Sequence, residues 1–244
     1  MTEHTTRPSL VIDNIGSLVT NDPALGAGPL GIIEDASLVI VDGVVEYVGP
    51  SGAIADERID ADGACALPGF VDSHTHLVFA GDRAEEFTAR MAGQPYDGGG
   101  IRTTTDATRS TSSNELDRLV LARLAEAHWA GTTTIEIKSG YGLSVDSELK
   151  MLRVIQAVKE ASIMPIAATF LGAHAVPEGY SREAYMDLVI DDMLPIIAKE
   201  GLADFVDIFC EDGYFTNEDL TRLASAASHW NLPLKSHVNQ FTST

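Results

Sequence analysis

Two hydrophobic rhythms divide the chain. Through residue 66, apolar positions come in short β-rich runs at 9–12, 36–41 and 44–48. The last two flank Asp42-Gly43, a pair that favours the positive φ angles of a two-residue hairpin turn. Residues 1–66 are therefore expected to form a small β-domain. From Leu67 the texture changes to strand, loop, helix, strand. Apolar strand candidates lie at 69–71, 132–137, 165–171, 205–209 and 233–236. Ser112 and Glu115 have the spacing of a capping box. They open a helical stripe of Leu116, Leu119, Val120 and Leu124 that ends at Gly131. Leu149, Leu152 and Ile155 mark a second helix starting near Ser144. A third is expected from about 181 to 199, kinked or broken by Pro195 and stopped by Gly201. A fourth runs over 217–230 on Leu220, Leu223, Ala224 and Ala227. The stretch around Tyr96 and Gly98-Gly99-Gly100 reads as a long loop after the first of these strands.

Strands alternating with helices imply a parallel sheet, either doubly wound or part of a barrel. A full (β/α)₈ barrel takes about 250 residues, more than follow residue 66. The last residues, Gln240 to Thr244, look like the start of another loop after a strand. Residues 67–244 are thus expected to end mid-fold with about five strands, as an open doubly wound sheet or as the N-terminal part of a truncated TIM-like barrel.

Composition narrows the function. The 244 residues are 45% apolar, enough for a large core. Thirty-six acidic against 16 basic residues give a net charge of −20. That argues against nucleic acid, whose phosphates need clustered Lys and Arg, and against anionic membranes. Cys65 and Cys210 stand far apart, which fits a reducing cytoplasm rather than a disulfide framework. The N-terminus shows no secretory pattern, and no apolar run is long enough to span a bilayer.

The chemistry concentrates at the strand ends. His74-Thr75-His76 follows the first barrel strand. In an extended chain, side chains i and i+2 share a face, so two imidazoles there can grip one divalent metal. An isolated His-x-His is often only a surface or structural pair. Here, Gly69, Phe70 and Val71 read as a buried strand, and barrel sites are built at strand C-termini. Lys138 and Tyr141 follow the second strand, His174 the third, Glu211 and Asp212 the fourth, and His237 the fifth. In a barrel these ends converge on one mouth. Arg83 either holds a substrate carboxylate or pairs on the surface with Glu85 or Glu86. Lys138 reads as a supporting charge and Cys210 as a buried strand-end thiol. His4, His128 and His229 fall outside the pattern.

Several motifs together resemble the imidazolonepropionase family of the amidohydrolase superfamily, the ring-opening hydrolases of histidine degradation. They are Pro68 to His76, Phe79 to Arg83, Gly98 to Ile101, Glu136 to Leu143, Phe170 to Ala175 and Val206 to Glu211. The resemblance implies a metal-dependent (β/α)₈ barrel flanked by a small β-sandwich. It implies one divalent ion, Zn²⁺ or Fe²⁺/Fe³⁺, held by His74, His76 and His237, with His237 part of the catalytic centre. It places Arg83, Tyr96, Tyr141, His174 and Gln240 on the substrate, 4-imidazolone-5-propanoate, which would be opened to N-formimino-L-glutamate. It also implies a homodimer in the complete protein. The family's aspartate ligand falls beyond Thr244, so these 244 residues alone are expected to be nearly inactive. Two other readings remain open: a related amidohydrolase such as a heterocycle deaminase, and a non-catalytic remnant.

Overall fold

The computed structural model describes residues 8–93, 99–240 and 242–243. Its chain divides into two compact units, Met1–Gly69 and Phe70–Thr244.

The first unit is one mixed sheet. Strands β1 (Ser9–Val19), β2 (Ile32–Val41), β3 (Val44–Pro50) and β4 (Glu57–Asp60) lie in the order β3-β2-β1-β4, and β5 (Cys65–Ala66) also pairs with β1. The β2–β3 hairpin turns on Asp42 and Gly43, with φ of 51° and 78°, as their sequence demands. Strand β1 runs well past its apolar start. A bulge between Ile12 and Ile15, with Asn14 at φ 55°, shifts the register there. The chain thereby crosses the polar pair Asp13-Asn14 and still turns Ile15 and Leu18 into the core with Ala36.

The second unit is a curled parallel half-barrel. Its sheet has the order β6 (Phe70–Asp72), β7 (Thr132–Lys138), β8 (Ile166–Ala173), β9 (Phe205–Ile208), all parallel. The fifth strand candidate is reduced to isolated bridges, Val206 with Leu234 and Phe209 with His237. Helices α1 (Ala84–Met91), α2 (Gly99–Ser110), α3 (Ser113–Trp129), α4 (Val145–Ala161), α5 (Arg182–Asp187), α6 (Leu194–Glu200) and α7 (Asn217–His229) fill the connections. The core between helices and sheet includes Leu116, Val120, Ile135, Ile137, Leu152, Ile155 and Phe170.

Four expectations need correction. The long loop after β6 contains two helices, α1 and α2. Its glycines and the run Thr103-Thr104-Thr105 are weak helix formers, so propensity hid α2, which buries Thr104, Thr105 and Thr108. Strand β6 is not buried: Phe70 and Val71 are 55% and 67% exposed, because among the described residues β6 pairs with β7 alone. The capping box at α3 is half made. Ser112 Oγ accepts the Glu115 N–H, but the Glu115 carboxylate pairs with Arg118. A complete box opens α7, between Thr216 and Asp219. Pro195 does not stop its helix. A π-helical stretch, Leu188–Met193, widens the turn before it, and the proline then opens α6.

Candidate metal centre

His74 and His76 stand beyond the end of β6, outside the strand. Thr75, between them, holds that segment in place. Its carbonyl accepts the Lys138 N–H, and its hydroxyl donates to the Glu136 carbonyl on β7. The imidazoles on either side are left free to meet, with ring centroids 5.4 Å apart. His237 arrives from the other flank of the sheet. Its backbone N–H bonds to the Ile208 carbonyl, and its carbonyl accepts from Cys210.

The three rings converge. One ligand nitrogen from each of His74, His76 and His237 lies within 4.8 Å of the others. His74 Nε2 and His237 Nε2 are 3.0 Å apart. Nitrogens on a tetrahedral cation with bonds of ~2.0–2.1 Å stand about 3.3 Å apart, so little movement would close this set on an ion. His76 Nδ1 is buried with no hydrogen-bond partner among the described residues. Burial lowers the His74 and His76 pKa values, and His174, His237 and Lys138 push in the same direction. The rings therefore favour the neutral form that a cation requires. The donor set fits a divalent metal.

A cavity of about 180 Å³ opens over these rings, lined also by Arg83, Tyr141, His174, Phe209, Tyr214 and Gln240. Arg83 faces inward rather than pairing on the surface. Its Nε donates to Thr104 Oγ1 at 3.0 Å and its Nη2 to Tyr141 Oη at 3.3 Å. His174 Nδ1 lies 2.9 Å from the Gly140 carbonyl. A carbonyl only accepts, so Nδ1 carries the proton and Nε2 keeps its lone pair. Burial, with His237 and Arg83 nearby, holds the His174 pKa down at about 4 against the hydrogen bond to Gly140. Gln240 lies over the site on a loop whose backbone N–H is bonded to the Glu211 carboxylate. Tyr96, the remaining expected substrate contact, lies outside the described residues.

Three supporting groups went unread in the sequence. Thr104 orients Arg83 from α2. Glu148, buried on α4, accepts the N–H groups of Gly140, Gly142 and Leu143 and so shapes the loop carrying Tyr141. Burial raises its pKa, and the Ser139 hydroxyl and these three N–H groups oppose the rise. Asp207 lies behind His237, with its Oδ2 2.9 Å from His237 Nδ1. Burial would raise its pKa, yet the contacts from His237 and Lys138 hold it at about 2. Glu136 and Asp207 did leave a signal: each is an acid flanked by apolar residues inside a strand, where an unpaired charge is costly. Lys138 is the supporting charge expected, and Cys210 is buried.

Over 236 residues, 95% of its length, the chain is 52% identical to an imidazolonepropionase from Salinispora tropica and 48% identical to one from Mycolicibacterium smegmatis. The similarity to imidazolonepropionases thus runs through nearly the whole chain. The chain spans 58% of the length of each of these imidazolonepropionases. No protein-family model matches it. Among solved structures, a 5-methylcytosine deaminase from Klebsiella pneumoniae superimposes with a TM-score of 0.67 at 19% identity, covering 96% of this chain and 52% of that one. The zinc complex of an atrazine chlorohydrolase from Arthrobacter aurescens gives 0.59 at 18%, over 95% of this chain and 53% of that one. Identities this low establish the architecture alone, and it is the half-barrel described above. No described helix is long and apolar enough to cross a membrane.

Proposed function

We propose that this chain carries the metal-binding and substrate-binding half of an imidazolonepropionase, which opens the ring of 4-imidazolone-5-propanoate by hydrolysis. The observation that carries the reading is the convergence of three imidazoles, Arg83, Tyr141 and His174 on one cavity. The named relatives support the same activity. His74, His76 and His237 would hold the cation, Zn²⁺ or iron. A cation bound there supplies an acidified water and polarises a ring carbonyl.

The chain's own groups do the positioning. Arg83 takes the propanoate carboxylate. Its Nε and Nη2 are fixed by Thr104 and Tyr141, so the guanidinium is held in one orientation before substrate arrives. His174 Nε2, with its lone pair, accepts a ring N–H. The Gln240 amide serves as a hydrogen-bond partner of the ring and, being uncharged, cannot act as a carboxylate base. A homodimer of the complete protein belongs to the same reading.

Equilibrium dialysis of the chain against Zn²⁺ or Fe²⁺ should return one ion per chain, and H74A and H76A should each abolish that uptake. In the gene product carrying this sequence, R83A should raise KM for the imidazolone at least tenfold while metal content stays unchanged. An unaltered KM in that variant rejects the carboxylate role.

A further inference from the structure

Beneath the three imidazoles lies a buried chain of charges that the proposed hydrolysis does not itself use. Lys138 Nζ sits 2.8 Å from Asp207 Oδ2 and 2.6 Å from Glu136 Oε2, and all three side chains are at most 3% exposed. Lys235 Nζ closes on Glu136 Oε1 from the far side, and the Thr169 hydroxyl donates to the same oxygen at 2.6 Å. The other Asp207 oxygen accepts the Ile208 N–H at 2.8 Å. Two lysines and two carboxylates cancel. Asp207 is therefore neutralised and fixed before His237 is counted, and the His237 ring need not be cationic to approach it.

We propose that Asp207 is a positioning residue that sets the tautomer and plane of the His237 ring, with Lys138 as its anchor. This rests on the reading of His237 as a metal ligand. A carboxylate only accepts, so the contact to Asp207 places the ring proton on His237 Nδ1. His237 Nε2 then carries a lone pair. It is the nitrogen facing His74, 3.0 Å away, and the one turned toward the cluster. Without Asp207 the ring is free to flip or to exchange its proton, and a fraction of chains presents an N–H where a donor pair is needed. Such outer partners of ligating histidines typically contribute roughly 10- to 100-fold in metal affinity.

The test combines nitrogen NMR with Zn²⁺ titration on the 244-residue chain. Long-range ¹H–¹⁵N spectra of the metal-free protein should show His237 protonated on Nδ1, and Zn²⁺ should shift Nε2. D207N should lose at least tenfold in Zn²⁺ affinity and show a mixed His237 tautomer. Its circular dichroism should match that of the parent chain. H74A serves as the control for the ion site itself. Parent chain that takes up no Zn²⁺, yet keeps the proton on Nδ1, refutes the metal reading and leaves the tautomer assignment standing. A ring proton found on Nε2 in the parent chain overturns the proposal without any variant having to fold. A folded D207N that binds Zn²⁺ as tightly as the parent overturns it too.

Discussion

His174 shows how far a single residue can be read from its surroundings. Its ring is buried against Tyr141 and His76, and its pKa falls from the ordinary 6.5 to about 4. The fold thus favours the neutral ring. The resulting stability is complete above pH 6.5 and is lost as the pH falls through about 4. NMR titration of the metal-free chain should show the His174 ring unprotonated down to about pH 4; a midpoint near 6.5 contradicts the burial argument. Gly140 sets the same geometry from the backbone. It sits at φ 109°, and a Cβ there would lie 2.9 Å from the Leu171 carbonyl and 3.0 Å from His174 Nδ1. At this scale the sequence was partly legible. The His-x-His pair announces itself through spacing alone. Asp207 and Glu136 show only as acids within strands and Thr104 not at all, because the partners Lys138, Thr169 and Arg83 lie 69, 33 and 21 positions away.

Helix α4 is the element that builds the Tyr141 wall. Its apolar stripe of Leu149, Leu152 and Ile155 is plain in the sequence, and the structure buries all three. The same helix also buries Glu148, turned back on the loop from β7. Arg109 of α2 grips that loop too, donating to the carbonyls of Gly142 and Leu143. Replacing Glu148 by Ala leaves three backbone N–H groups buried without an acceptor, at roughly 1–3 kcal/mol each. E148A should therefore lose about 3 kcal/mol or more in urea unfolding, a loss absent from variants at exposed Glu160. Helix α2 is the element that sequence patterning missed. Its stability comes from the buried threonine face and from Arg109, neither of which propensity records.

For the whole molecule, the β-to-β/α transition and the parallel sheet were legible because strand and helix periods differ so clearly. The curl of that sheet was not, since alternating strands and helices suit an open sheet equally well. The strand ends settle the matter by bringing residues 74, 141, 174 and 237 to a single cavity. The net charge of −20 does not arise in the buried cluster under the imidazoles. Lys138 and Lys235 are instead matched one for one with Glu136 and Asp207 beneath the site.

The sheet begins at β6 and ends at the bridges around Leu234 and His237, and one ion would take ligands from both margins. Such an ion would be a clasp across the full width of the half-barrel. Binding only the folded chain, it would stabilise it by about 2.7 kcal/mol at a free concentration a hundredfold above its dissociation constant. Adding a chelator should lower the melting temperature in step with free metal. Amide exchange should quicken first at residues 70–77 and 234–238, with β7 and β8 protected longest. Uniform exchange across all these segments would mean that the margins are held by the sheet itself, with no contribution from a shared ion.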